Sequence, residues 1–205
     1  MAKRGYHHGN LRQALVEAAL RLTEVKGPAG FTLSEAAKQA GVTPAAVYRH
    51  FAGRDDLIAE ASRQGYAIFA DVMEAAFDHG QPSALASFKA TGRAYLAFAR
   101  QHPGHYIAMF ESGIPVNRTP ELAQEAKRAR AIMDRAADAL CHRIAADKRP
   151  PAAMFSAHIW AMSHGVVELF ARNSPGITSP FAAEDLLESG IAIYLRGLGL
   201  ITADD

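Results

Sequence analysis

Apolar residues recur along this chain at helical spacing almost everywhere and at strand spacing almost nowhere. Leu11, Leu15, Ala18, Leu22 and Val25 fall on one helical face. Asn10 is placed to cap that helix, and Gly27-Pro28 to stop it. Thr32-Leu33-Ser34-Glu35 reads as a capping box, in which the Thr hydroxyl and the Glu carboxylate each satisfy the other's backbone N–H. The short helix it opens ends at Gly41, where a left-handed turn costs glycine little. Thr43-Pro44 then reads as an N-cap followed by proline at the first helical position, starting a second short helix that ends near Phe51. Gly53 breaks it, and Asp55-Asp56 give a long third element the acidic first turn its dipole favours.

Farther on, polar or Pro/Gly-rich joints (HGQPS, HPGH, SGIPVNRTP, DKRPP, NSPGITSP) separate predicted helices near 54–78, 83–101, 103–112, 120–147, 151–173 and 181–199. With the three at the front this makes about nine helices and no convincing strand. The expected class is all-α: a three-helix head, residues 1–54, on a larger helical body, residues 55–205.

Two short helices joined by a tight glycine turn, after a longer amphipathic one, form a helix-turn-helix candidate over about 32–51. Ala36, Ala37 and Ala40 supply a small apolar face, and Val42, Val47 and Phe51 the matching one. Thr43, Pro44, Ala45, Ala46, Tyr48, Arg49 and His50 are left to face outward or the rim. Small residues at the front of a helix let it enter a major groove deeply, and Ala or Thr methyls can meet thymine methyls. Tyr48 and His50 have the reach for phosphates, and Arg54 stands at a helix start facing the same backbone.

Charge supports a polyanion partner for the front alone. The chain has 205 residues and a net charge of +1, but residues 1–54 hold eight Lys or Arg against three Glu, a balance of +5, and the remainder holds 14 basic against 18 acidic groups, a balance of −4. Lys3 and Arg4, in the arm before the first helix, belong either to a disordered tail or to an arm that orders in a minor groove. The single Cys141 excludes an internal disulfide and suits a reducing compartment. No secretory h-region opens the chain and no long apolar run spans a membrane, so a cytoplasmic location is expected. His7-His8 is too short a run for a tag, and His102-x-x-His105 is broken by Pro-Gly and has no third ligand, so no metal and no other cofactor is expected.

The segment FTLSEAAKQAGVTPAAVYRHFAGRDDL closely resembles the DNA-binding domain of tetracycline-repressor (TetR) family transcription regulators. The resemblance covers about residues 10–57 and is carried by Thr32, Ala37, Ala40, Gly41, Val42, Thr43, Tyr48, His50, Phe51, Arg54 and Leu57. It implies that Thr32 and Tyr48 contact phosphates and that Thr43 to Ala46 face base edges. It also implies that Arg54 takes a backbone-binding position usually held by Lys, adding bidentate geometry. In the body, Trp160-Ala161-Met162-Ser163-His164-Gly165 resembles the Trp-x-x-x-His-Gly signature of the family's WHG-type C-terminal domain.

Two readings of the body stay open. Trp160 and His164 share a helix face, as a packed pair or as a ligand-facing one. The aromatic and Met residues of the middle, among them Phe69, Met73, Phe88, Tyr95, Phe98, Tyr106 and Phe110, are core residues or the lining of an apolar pocket. The resemblance implies a cavity there for an unknown, largely apolar effector. The last two helices read as an interface: Ala157, Ala161 and Gly165 are four apart, and Gly190 and Gly197 bracket Ile193 and Tyr194. The resemblance implies a homodimer through these segments and hence an inverted-repeat site in double-stranded DNA.

A ligand-responsive repressor leads among the functions. An architectural DNA-binding protein without an effector is the alternative, favoured if the body's core is filled. A helical enzyme is the weaker one: the chain lacks a Gly-x-Ser-x-Gly elbow, a phosphate-cradling Gly-Lys-Ser/Thr loop and a His-Glu-x-x-His motif.

Overall fold

The computed structural model describes residues 8–147, 149–172 and 179–202, with side chains from residue 11 onward. Lys3 and Arg4 lie outside the described residues. Among those described, nine α-helices follow one another: α1 (His8–Lys26), α2 (Leu33–Gln39), α3 (Pro44–Val47), α4 (Arg54–Phe77), α5 (Ala84–Gln101), α6 (Pro103–Phe110), α7 (Pro120–Cys141), α8 (Ala152–Val166) and α9 (Ala183–Gly197). A 3₁₀ turn, Asp78–Gly80, follows α4, and a π turn, Val167–Ala171, continues α8. No strand occurs among the described residues. The protein is all-α.

The chain groups into two compact units, one of residues 1–67 with 102–126 and the other of residues 68–101 with 127–205. The first unit thus reaches past the boundary expected at residue 54, taking in α6 and the start of α7. Its core is Leu15, Val16, Val47 and Leu57, all fully buried, with Leu11, Phe31 and Phe51 around them. Val25 does not join that face: it is 82% exposed, on the last turn before Gly27 turns the chain out at φ +76°. Asn10 lies inside α1, which already begins at His8.

Local chemistry fixes α2 at both ends. The Thr32 hydroxyl accepts the Glu35 N–H at 3.2 Å, and the Glu35 carboxylate accepts the Thr32 N–H at 2.8 Å, which is the capping box. At the other end Val42 N–H donates to Ala37 O at 2.9 Å and Gly41 N–H to Lys38 O at 3.1 Å, a Schellman pair that needs Gly41 at φ +73°. The turn between α2 and α3 is therefore set by consecutive backbone positions rather than by distant packing. α6 closes on α1 through Gly104, where a Cβ would stand 2.7 Å from Glu24 Oε1 and 3.0 Å from Leu20 O. The Gly104 N–H donates to that same carboxylate at 3.1 Å.

The second unit packs the later turns of α4 with α5, most of α7, α8 and α9 around Phe69, Phe98, Leu96, Leu140, Phe155 and Leu195. Arg93 pairs with Glu188 at 3.0 Å and Arg100 with Glu184, tying α5 to α9. Phe155 stacks on Tyr194, whose hydroxyl meets His158 Nδ1 at 2.9 Å, tying α8 to α9. α7 stops at Cys141, earlier than its spacing predicts, because the chain turns in to bury Ile144 and the Arg149 guanidinium takes the carbonyls of His142 and Ile144 at 3.2 and 3.0 Å.

Candidate DNA-binding surface and body cavity

Val47, fully buried, anchors α3 to the first unit's core and leaves the rest of the segment outside. Thr43, Pro44, Ala45, Tyr48 and Arg49 are exposed, Tyr48 by 63%. Thr43 has N-cap backbone geometry, yet its hydroxyl makes no cap bond and so stays available. Ala46 is half-buried against the core, which sets it back from its neighbours Thr43 and Ala45. His50 is half-buried as well, and its N–H donates to Val47 O at 2.9 Å in the turn that ends the helix. This surface offers one guanidinium, one phenol and one hydroxyl on a small-residue platform.

Thr32 and Arg54 flank the segment in a different state. The Thr32 side chain is spent on its capping box, donating to Glu35 Oε2 at 3.0 Å as well as accepting from the Glu35 N–H. Hydrogen bonds from Lys26 and from the Thr32 backbone hold the Glu35 carboxyl down at about 2. Arg54 opens α4 and donates to Ala29 O at 3.1 Å and to Asp55 Oδ1 at 3.4 Å; its Nε is buried with no partner among the described residues. Beside it Arg118 donates to Asp56 Oδ1 at 2.6 and 3.2 Å. Both arginines stand at the rim of an open hollow formed with Thr32 and Gly53.

A buried carboxylate braces the surface from behind. Burial alone would raise the Glu60 carboxyl, but hydrogen bonds from Arg63, Arg12 and Gln64 outweigh it and hold the group at about 2. Arg12 lies 2.8 Å from Glu60 and 5.0 Å from the centre of the Phe51 ring, joining α1, the turn after α3 and α4.

In the second unit, Met73, Phe88, Tyr95 and Trp160 line a partly open cavity of about 30 Å³ together with Ser163 and Met133. That space holds roughly one or two waters, against the roughly 300 Å³ or more of a filled ligand pocket. Phe69 and Phe98 stand behind the wall, their ring centres 5.2 and 5.0 Å apart in the pairs Phe69–Tyr95 and Phe69–Phe98. His164 points to the Tyr95 hydroxyl at 2.9 Å, while its neighbour Ser163 faces the cavity. Tyr106 and Phe110 belong to the first unit, where their rings pack at 4.8 Å and Tyr66 meets Phe110 edge-on. Burial pushes the Tyr66 hydroxyl up to about 12.

Sequence reasoning set Met133 among the aromatic and Met residues of the middle but passed over Ser163 and Thr91 as cavity residues. Ser163 carried a signal: Ser156, Trp160 and Ser163 fall at i, i+4 and i+7, a polar-aromatic strip on one face of the helix. On the outer side, Ala157, Ala161 and Gly197 are exposed and Gly165, Gly190 and Tyr194 half-buried. A Cβ on any of these glycines would meet nothing within 4 Å, and Ile193 beside them is 65% exposed.

A presented helix-turn-helix in one unit and a helical body with its own core in the other define a DNA-binding regulator of two-part build. The chain belongs to the tetracycline-repressor family of transcriptional regulators: residues 15–61 match the family model for bacterial regulatory proteins of the tetR family, and residues 88–194, just over half the chain, match that for the tetracyclin repressor-like C-terminal domain. The second match contains the Trp160–Gly165 signature. Solved structures share the fold. A protein from Rhodococcus sp. RHA1 superposes with a TM-score of 0.77 at 23% identity, over 96% of this chain and 99% of that one. PfmR from Thermus thermophilus, a TetR family transcriptional regulator, gives 0.65 at 20% identity over 90% and 98%. AibR, solved with isovaleryl coenzyme A and operator DNA, gives 0.69 at 16% identity over 89% and 97%. No curated protein matches the sequence. No described helix is long and apolar enough to cross a membrane.

Proposed function

We propose that this regulator is a homodimeric repressor that binds an inverted repeat and leaves it when a small molecule enters the second unit. The observation that carries the reading is the exposed segment Thr43–Arg49, held outward by one fully buried valine and a capped, glycine-turned α2. Thr43, Pro44 and Ala45 meet base edges, with Ala46 at the margin. Tyr48, Arg49, His50, Arg54 and Thr32 meet phosphates, Thr32 by exchanging a capping-box bond to Glu35, since both its hydroxyl and its N–H are engaged there. Arg54 reaches a phosphate by exchanging its bond to Ala29 O, and its unpartnered Nε supplies the second prong of a bidentate contact. Lys3 and Arg4 reach the adjoining minor groove.

Ala157, Ala161, Gly165, Gly190, Ile193, Tyr194 and Gly197 form the dimer face, where open space over the glycines lets a second copy's helices approach closely. A twofold pair sets two reading segments about 34 Å apart. Arg54 and Met73 lie on one helix, α4, so an effector that displaces Met73 biases the position of Arg54. AibR, held in one structure with both an acyl-CoA and DNA, supports that division of labour. The cavity's small volume favours an effector-free architectural protein instead; Met73 and Met133, flexible thioethers on its wall, support the responsive reading.

Selection from random duplexes at near-physiological salt tests the proposal. Enrichment of an inverted repeat is expected, and Ile193→Asp should abolish it while leaving the chain monomeric in sedimentation. Salt-sensitive binding without any enriched motif would reject the operator reading in favour of the architectural one.

A further inference from the structure

The polar groups around the body cavity are nearly all spoken for. Thr91 Oγ1 donates to Phe88 O at 2.8 Å, Ser156 Oγ to Asp134 Oδ1 at 2.7 Å, and the Tyr95 hydroxyl is bonded to His164 at 2.9 Å. Apart from the Trp160 indole N–H at the rim, Ser163 is the exception. It is 4% exposed, lines the cavity, and its hydroxyl makes no hydrogen bond to any described residue. A hydroxyl open to an apolar cavity offers one donor and an acceptor to whatever enters.

The walls are otherwise Met73, Phe88, Met133 and Ile159, and no charged residue lines the space among those described. The cation at its edge is already engaged: the Arg130 guanidinium lies 5.6 Å from the centre of the Trp160 ring, and its Nε donates to Asp134 at 3.0 Å. An ionised head group entering this space would lose its water and find no counter-charge, so it is rejected on desolvation alone. Trp160, which lines the cavity and is still 36% exposed, stands at its mouth.

We infer that the cavity takes a neutral, predominantly apolar molecule bearing one hydrogen-bonding atom, anchored on the Ser163 hydroxyl and admitted past Trp160, and that it discriminates against carboxylates and acyl-coenzyme A. The inference rests on the effector reading above and supplies its chemical class. Entry requires the walls to part, because the resting space holds little more than a water. Met73 and Met133 are unbranched side chains that can move aside without a backbone shift.

Trp160 is the sole tryptophan of the sequence, so its emission reports on this mouth alone. The full chain is titrated at pH 7.5 with 1-octanol, octanoate and octanoyl-coenzyme A, following that emission, and the series is repeated with Ser163→Ala and Ser163→Thr. Saturable change with octanol, binding of octanoate weaker by about tenfold or more, a loss of about tenfold in Ser163→Ala and recovery in Ser163→Thr are expected. Octanoate or octanoyl-coenzyme A binding as tightly as octanol would overturn the inference and leave the effector reading standing. Unchanged octanol binding in Ser163→Ala would overturn the anchor. No saturable change with any of the three in the unsubstituted chain would overturn both and return the protein to the architectural class.

Discussion

The α2–α3 segment and the α8 strip are both short stretches of candidate functional surface, yet they are built in opposite ways. In the first, the backbone is satisfied by its own neighbours, through the Thr32–Glu35 box and the Gly41 turn, so Thr43, Pro44, Ala45, Tyr48 and Arg49 are free to face solvent around the buried Val47. In the second, neither α8 nor α9 has a side-chain cap at its N-terminus, and the polar atoms are turned inward, one of them left unbonded. A rigid local scaffold suits a surface that must keep one shape to fit a groove. A cavity with one unmet hydroxyl and two flexible methionines suits a site that changes shape when filled. The contrast teaches where each function can be damaged: the head through its frame, the body through its contents.

The largest effect is expected at the head's core. Leu15→Ala removes a fully buried side chain from a well-packed site and should cost about 2–5 kcal/mol in urea unfolding. A cost below about 1 kcal/mol would mean the head's frame is looser than described. Next comes a pH effect at His105, also in the first unit. Burial, and then the neighbouring His102, push its imidazole down to about 4, below its ordinary value of 6.5, and its Nε2 has no partner among the described residues. The folded chain therefore refuses a proton that the unfolded chain accepts. Stability is full above pH 6.5 and falls as the pH drops toward 4. Between pH 7.5 and 5 this group should account for about 1–2 kcal/mol, and His105→Gln should remove that slope. Equal slopes in the two proteins would contradict the burial. Glu60, held at about 2, adds its own loss only between its ordinary 4.5 and 2, so the two windows separate.

Thr32→Ala should cost about 1 kcal/mol, the worth of a capping residue. Ser163→Ala, the smallest change, should leave stability the same or raise it by up to about 1 kcal/mol, because no described hydrogen bond is lost. A clear destabilisation by Ser163→Ala would erase the contrast between the two regions.

The same contrast explains what the sequence disclosed. The head was legible because its determinants are local: a box at Thr32–Glu35, Pro44 after Thr43, and Gly41 where the backbone turns left-handed. The body's helices were legible from their Pro/Gly joints, but not the use of their side chains. Phe69 and Phe98 have the same character as Phe88, and only packing puts the last on a cavity and the others behind it. Tyr106 and Phe110 were assigned to the body by chain order, whereas α6 packs with α1 through the close approach at Gly104. Likewise the end of α7 depends on Arg149 reaching back to two carbonyls, and Val25 continued a spacing that the turn at Gly27 cut short.

Hydrogen exchange on the chain with and without its enriched duplex tests the account most directly, since it reads both regions in one measurement. Slowed exchange confined to amides from Thr43 to Arg54, with α5 and α9 unchanged at their buried faces, is the predicted result. Unslowed exchange over Thr43–Arg54, or protection centred on 84–101 and 183–197 instead, would contradict the assignment of DNA recognition to the exposed segment held out by Val47.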